Sequence, residues 1–144
     1  MTKQKTQSKH KLPGDAYADH IRARFWLMGS GGTYVGIGRV TLMEKIARLG
    51  SINQAAKEMG MSYKKAWGLM EELNQMFDEP LVVKAHGGKS GGGTRLTEKG
   101  EQVLVEFRRV EQQLTAFLQS QSQQVAENLG LPSLSNGTAT ESEK

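Results

Sequence analysis

The chain has 144 residues, of which 37% are hydrophobic and 24% are charged; it contains no cysteine and carries a net charge of +4 at pH 7. The length fits one domain, and the lack of cysteine excludes disulfides and thiolate metal sites. No stretch approaches the roughly 18 consecutive apolar residues that a membrane span requires. The basic N-terminus is not followed by the apolar segment of a secretory signal, so we expect a cytoplasmic protein.

The charge is unevenly distributed along the chain. Residues 1–24 contain six Lys or Arg against two Asp, whereas residues 119–144 contain one Lys against three Glu. A basic chain favours polyanionic partners such as nucleic acid. Residues 1–21 are polar and lysine-rich, which predicts a flexible basic arm. Residues 121–144 have almost no large apolar side chains, which predicts a disordered polar tail. The folded domain is therefore expected over residues 22–120.

The first part of that domain predicts a hairpin followed by a helix. In RARFWLMGSGGTYVG (22–36), two runs with aromatic and β-branched residues flank a glycine-rich turn. In RVTLMEKIARLG (39–50), Leu42, Ile46 and Leu49 share one helical stripe, and Gly50 is a typical helix stop.

The segment SINQAAKEMGMSYKKAWGLM (51–70) has the pattern of a helix-turn-helix. Ser51 and Ser62 are helix-start residues, Ala56 is small where the two helices cross, and Gly60 suits the tight turn between them. Helical spacing continues to about Phe77. In this motif the second helix is presented to the major groove of DNA.

The second helix has two distinct faces. Its core face is expected to contain the apolar residues Ala66, Leu69, Met70, Leu73, Met76 and Phe77. The first turn is polar and cationic, and we expect DNA contacts from Ser62, Tyr63, Lys64, Lys65 and Trp67. Gly68 weakens the helix, which is easier to explain if something approaches closely there. The alternative is that the lysines are ordinary solvated surface and that Trp67 packs under a neighbouring hairpin.

The segment LVVKAHGGKSGGGTRLT (81–97) predicts a second hairpin with a glycine-rich tip. Its Gly-Lys-Ser resembles the end of a phosphate-binding P-loop. However, that motif needs glycine where this chain has Val83, and it needs a helix immediately after the serine. The position after the second helix instead indicates a wing, in which Lys89 and Arg95 contact the DNA backbone. A loose surface loop is the alternative.

After Thr97, a helix start, the chain predicts a long helix. Its apolar residues are spaced by four, three, four and three, as in a coiled-coil seam, and this predicts a homodimer. The expected seam consists of Val103, Phe107, Val110, Leu114 and Phe117.

Catalytic and metal-binding patterns are not found in the sequence. The histidines His10, His20 and His86 do not stand at metal-binding spacing with carboxylates, and no nucleophile turn of a hydrolase is recognisable. We therefore expect no enzyme activity, no metal and no cofactor.

The run SYKKAW followed by GGKSGGGTRLT resembles the DNA-binding domain of the ModE-type molybdate-responsive transcriptional regulators, and the similarity extends over about residues 22–120. The resemblance implies a mostly α fold with small β content. It is a winged helix-turn-helix related to LysR-type N-terminal domains, with an N-terminal β-hairpin and a long C-terminal dimerisation helix. We expect the C-terminal molybdate-binding domains of such regulators to be absent, so a molybdate response would need a partner or another site.

The leading hypothesis is therefore a transcriptional regulator that binds a palindromic operator in double-stranded DNA, linked to molybdate or molybdenum-cofactor genes. The first alternative is a cytoplasmic oxyanion-binding protein that uses the amides of the glycine-rich loop. The second is a protein-interaction module that dimerises through the last helix without binding DNA.

Overall fold

The computed structural model describes residues 15–85 and 93–132, without the side chains of residues 15–17 and 37. Four helices and three short hairpins make up this part of the chain. The strands are β1 (Asp15–Tyr17), β2 (Arg22–Arg24), β3 (Leu27–Met28), β4 (Tyr34–Val35), β5 (Val82–Ala85) and β6 (Gly93–Leu96). The helices are α1 (Ile37–Leu49), α2 (Ile52–Met59), α3 (Tyr63–Leu73) and α4 (Glu98–Leu129).

Three of the helices begin at hydroxyl side chains, each of which accepts a hydrogen bond from a backbone amide three residues ahead. The Ser51 hydroxyl caps α2, the Ser62 hydroxyl caps α3 and the Thr97 hydroxyl caps α4, each at 3.0 Å. These bonds satisfy amides that have no partner within the helix. The three predicted helix starts are confirmed.

The core lies between the helix-turn-helix and the two elements that flank it. α1 packs against α2, α3, β6 and α4, and contributes several fully buried side chains. The largest fully buried residues are Phe107, Leu42, Met43, Ile46, Met70, Leu73, Met76 and Leu81. The stripe predicted for α1 is confirmed at Leu42 and Ile46, while Leu49 is half-buried.

The N-terminal hairpin differs from the expectation. Residues 22–36 were expected to pair with each other, but only Leu27–Met28 and Tyr34–Val35 do so. β2 pairs instead with β1, which lies inside the segment expected to be a flexible arm. The chain from 22 to 28 alternates strictly between exposed and half-buried residues. It is therefore one extended run that has a different partner strand at each end.

The last helix extends beyond the expected domain limit at residue 120 and ends at Leu129. β1 lies against this helix. Beyond Phe117 the helix still contains buried residues, Leu118 and Ser122. The backbone amide of His20 donates to the Ser122 hydroxyl at 2.8 Å. The polar end of α4 is thus held by the N-terminal hairpin, a contact that its composition does not predict.

The predicted dimer seam is divided by the fold. Val103 and Phe107 are buried in the core of their own chain, and Phe107 stacks on Phe25 with ring centroids 4.6 Å apart. Val110 and Leu114 are half-buried, and Phe117 is 59% exposed. The first two positions therefore cannot be offered to a second chain. The four-three spacing is explained there by packing on the domain core, since any amphipathic helix buries such a stripe.

Candidate nucleic-acid interface

The turn between α2 and α3 sets the position of α3. Gly60 has a φ of 70°, a conformation that favours glycine. The amides of Gly60 and Met61 both donate to the last carbonyls of α2, with Met61 bonded to the Ala56 carbonyl at 3.0 Å. Ala56 is buried against the crossing helix. The helix-turn-helix predicted from Ala56 and Gly60 is therefore present.

The N-terminal turn of α3 faces solvent. Ser62, Tyr63, Lys64 and Lys65 are all exposed, and Tyr63 retains 47% of its accessible surface. Within residues 15–85 and 93–132, neither lysine forms an ion pair with a carboxylate. The turn also has free backbone amides and the positive end of the helix dipole, both of which attract anions. The four residues predicted here lie together on one accessible surface.

Trp67 is placed differently from the other predicted contact residues. It is half-buried and packs on the domain core. The Lys84 ammonium lies 4.9 Å from its ring centroid, and Tyr63 meets it edge to face at 6.3 Å. Trp67 is thus covered in part by the neighbouring hairpin, which is the alternative considered from the sequence.

The opposite face of α3 is the core face. Ala66, Met70 and Leu73 are buried, while Leu69 is half-buried. Gly68 lies on the exposed side, and a Cβ added to it would meet no heavy atom within 4 Å. In the described part of the chain nothing approaches this glycine, so space is open beside the cationic turn.

α3 ends at Leu73, before the predicted limit near Phe77, because Asn74 connects it to the next hairpin. The Asn74 side-chain oxygen accepts from the amides of Leu81 and Val82 at 2.8 and 2.9 Å, and its amide nitrogen donates to the Val82 carbonyl at 2.9 Å. Asn74 was not among the residues predicted to matter here. The available signal was an asparagine at a helix end shortly before Pro80, since asparagine is favoured at such positions.

The C-terminal end of α3 is also tied to the N-terminal part of the domain. Arg39 forms an ion pair with Glu72 at 2.5 Å and lies over the Tyr34 ring at 4.3 Å. Just beyond the helix, the Ser30 hydroxyl donates to the Met76 carbonyl at 2.8 Å. The β3–β4 hairpin and α1 therefore contact the C-terminal end of α3 and the residues that follow it.

The wing strands pair in antiparallel register, with Val83 opposite Arg95 and Lys84 opposite Thr94. Arg95 is exposed, as its predicted contact with the DNA backbone requires. The Thr94 amide donates to the Gly50 carbonyl at 3.1 Å, which attaches β6 to the turn between α1 and α2. Lys89 and the glycine-rich tip lie outside the described residues.

Two cations of α1, by contrast, are paired with a glutamate of the helix-turn-helix. Glu58 of α2 accepts hydrogen bonds from Lys45 at 2.9 Å and Arg48 at 2.8 Å, which joins α2 to α1. The hydrogen bond from Lys45, followed by that from Arg48, lowers the pKa of the Glu58 carboxyl below its ordinary value. The turn of Lys64 and Lys65 differs from this cluster because neither of its lysines has a carboxylate partner within residues 15–85 and 93–132.

Two further properties concern the described residues as a whole. Among residues 15–85 and 93–132, no three His, Cys, Asp or Glu side chains are grouped so as to hold a metal ion. No helix in this part of the chain combines the length and the apolar character needed to cross a membrane.

Three helices with an exposed cationic turn on the third, followed by a two-stranded wing, define a winged helix-turn-helix, a DNA-binding fold. Residues 37–101 match the family described as "Bacterial regulatory helix-turn-helix protein, lysR family". This stretch runs from α1 through the wing to the start of α4. It is a LysR-like helix-turn-helix domain.

Several characterised proteins are similar to this chain. It is 39% identical to "Molybdenum transport protein ModE" of Azotobacter vinelandii over 113 residues, which is 78% of this chain and 42% of the relative. It is 45% identical to "Molybdenum-pterin-binding protein MopA" of Rhodobacter capsulatus over 64% of this chain and 35% of the relative. It is 47% identical to "DNA-binding transcriptional dual regulator ModE" of Escherichia coli K12 over 46% of this chain and 25% of the relative. The chain is thus ModE-like in sequence, and the alignments span less than half the length of each relative.

Proposed function

We propose that this protein is a transcriptional regulator that binds double-stranded DNA through the first turn of α3. The observation that carries the proposal is the exposed turn formed by Ser62, Tyr63, Lys64 and Lys65, whose two ammonium groups have no carboxylate partner in the described part of the chain. Phosphate contacts by unpaired Lys and Arg supply most of the affinity of such proteins, and side chains of the same turn contact base edges.

The charge distribution around the helix-turn-helix supports this orientation. Arg39, Lys45 and Arg48 are each paired with a glutamate, whereas Lys64, Lys65 and the exposed Arg95 of the wing form no ion pair with any residue that the structure describes. Unpaired cations thus occur at the two elements that a winged helix places against DNA. The acidic residues of α3, Glu71 and Glu72, lie at its other end, away from the duplex in this orientation.

The active species in this proposal is a homodimer bound to a palindromic operator, with the two recognition helices about 34–36 Å apart so that they enter successive major grooves. Phe117 of the predicted seam remains exposed on α4, and so does Val105, which was not predicted. Both are available for contact with a second chain. Analytical ultracentrifugation of wild type and Phe117→Ser tests this element, since a weaker dimer is expected for the variant.

The central experiment compares two variants that differ in where charge is removed. Lys64→Ala with Lys65→Ala removes two lysines of α3 that have no carboxylate partner in the described part of the chain, whereas Arg48→Gln removes a guanidinium that is paired with Glu58. Fluorescence anisotropy should show a loss of affinity for duplex DNA of about tenfold or more in the first variant and little change in the second. The dependence of log affinity on log salt should flatten by about 0.9 per phosphate contact removed. Equal affinities for all three proteins would reject this role of α3.

We further propose that the regulated genes concern molybdate or the molybdenum cofactor, since the similar proteins named ModE and Mop are a molybdenum transport protein, a transcriptional regulator and a molybdenum-pterin-binding protein. The cytoplasm is the compartment that fits this role. Genome-wide mapping of bound DNA tests the assignment, and bound sites confined to unrelated genes would reject it.

The name of the Rhodobacter relative also favours a second candidate function, oxyanion binding by this chain itself. The two functions give different results in calorimetry. Titration with molybdate, tungstate and sulfate should give no tight binding if the chain acts as the DNA-binding part alone. Micromolar binding of molybdate would support the second candidate.

A further inference from the structure

We propose that Lys84 and Trp67 form a contact that fixes the wing against the recognition helix, so that both act as positioning residues for DNA binding and not as separate DNA contacts. The inference deepens the proposed function and rests on it. It changes the role of Trp67, which the sequence alone assigns to the DNA, and gives a role to Lys84, which was not among the predicted contact residues.

The geometry of the pair carries the inference. Trp67 lies in the second turn of α3, and Lys84 lies in β5, the strand that leads into the wing. The Lys84 ammonium is 4.9 Å from the indole centroid, inside the range of roughly 6 Å within which a cation is attracted by an aromatic face. Trp67 is half-buried on the core, so its ring is a fixed support, whereas Lys84 is exposed.

The same indole also contacts the exposed tip of α3. Tyr63 meets Trp67 at 6.3 Å with an interplanar angle of 81°, an edge-to-face arrangement that the quadrupoles of the two rings favour. Trp67 therefore touches the tip of the recognition helix through Tyr63 and the wing through Lys84. A displacement of the wing strand can therefore reach Tyr63, the residue next to Lys64, through the indole of Trp67.

The position of Lys84 along the wing explains why its contact with Trp67 matters. β5 is held at its first residue, Val82, by Asn74, and β6 is held at Thr94 by the bond from its amide to the Gly50 carbonyl. Lys84 is directly opposite Thr94 in the strand register. The contact with Trp67 thus restrains β5 at the same level at which Gly50 restrains β6, and the wing is held on both strands.

A direct phosphate contact by Lys84 makes a different prediction, because it would not depend on the indole. A double-mutant cycle separates the two cases. The full chain is compared as wild type, Lys84→Met, Trp67→Leu and the double variant. The probe is a fluorescent duplex selected by the wild-type protein from a randomised duplex library. Affinity is measured by anisotropy at several salt concentrations, and circular dichroism melting checks each fold.

We expect Lys84→Met to weaken binding about two- to fivefold, as an exposed cation–π contact would. The double variant should bind no more weakly than Trp67→Leu alone, and Lys84→Arg should stay within about twofold of wild type because arginine also binds aromatic faces. If Trp67→Leu does not fold, Lys84→Met and Lys84→Arg still distinguish the two cases. The proposal expects the slope of log affinity against log salt to be the same as in wild type for both variants.

An equal loss for Lys84→Met with and without Trp67, together with a salt slope reduced by about 0.9, would overturn the proposal in favour of a phosphate contact. That result would leave the proposed function intact. Failure of the wild-type protein to select any duplex would instead refute the proposed function.

Discussion

Replacing Gly68 with alanine should make the protein more stable and the complex with DNA weaker. Gly68 is exposed within α3, and a Cβ at this position would meet no heavy atom within 4 Å. Alanine is favoured over glycine inside a helix by about 0.5–1 kcal/mol, mainly because glycine loses more backbone freedom on folding. With no clash to offset this gain, the free energy of unfolding should rise by that amount and Tm by roughly 2–6 °C.

The effect on DNA binding should have the opposite sign. Gly68 lies four residues after Lys64, so the two positions are neighbours on the same helix face. If the duplex lies against this face, a methyl group would occupy space that the duplex needs. Overpacking of a close contact costs about 1–3 kcal/mol, which corresponds to at least about a fivefold loss of affinity.

Urea unfolding followed by circular dichroism measures the first effect, and anisotropy titration of a selected duplex measures the second. Gly60→Ala is the matched control, since it makes the same chemical change in the same motif but at a φ of 70°. It should destabilise the fold by about 1 kcal/mol or more. A lower stability of Gly68→Ala would contradict the open environment, and an unchanged affinity would show that this face does not meet DNA.

Three other perturbations test the fold that supports the interface. Phe107→Ala should cost about 3–5 kcal/mol in urea unfolding because its ring is fully buried, whereas Phe117→Ala should change the stability of the monomer by less than about 0.5 kcal/mol; similar losses in both would contradict their burial. Asn74→Ala should cost at least about 2 kcal/mol, since the amides of β5 lose their acceptor, and a neutral result would contradict those bonds. The Glu58 carboxyl has a lowered pKa, so its contribution to stability is fully present above the ordinary value of 4.5 and is lost as pH falls through the lowered value. Glu58→Gln should therefore flatten the loss of urea stability as pH falls below the ordinary value of 4.5, and an unchanged pH profile would contradict this.

Local chemistry explains why much of the fold could be predicted from the sequence. A serine or threonine that caps a helix does so through an amide three residues ahead, and Ser51, Ser62 and Thr97 need no distant partner for this. The turn at Gly60 depends equally on residues close in sequence. For these elements the sequence pattern and the fold express the same short-range interactions.

The expectations differ from the structure where distant segments meet. The final turns of α4 contain good helix formers such as Gln and Ala, but their order depends on β1 and on the bond from His20 to Ser122. The four-three spacing in α4 could not distinguish a second chain from the domain core, and Phe107 packs on Phe25 of the same chain. Periodicity tells which face of a helix is buried, but not against what.

In the candidate interface, too, local features could be predicted from the sequence and contacts with distant segments could not. Exposure of Ser62, Tyr63, Lys64 and Lys65 follows from the helical wheel, and the structure agrees. The surroundings of Trp67 depend on a strand seventeen positions further along the chain, at Lys84. No helical wheel contains that information.

The close contact between Gly93 of the wing and Gly50 also limits where this domain can be re-engineered. A Cβ on Gly93 would lie 2.6 Å from the carbonyl oxygen of Gly50, the same oxygen that accepts the Thr94 amide. A longer turn between α1 and α2, or any side chain at position 93, would therefore move the wing hairpin away from Gly50. Changes in chain length that are meant to spare this contact are therefore best placed between Ala85 and Gly93 and not at either side of the contact itself.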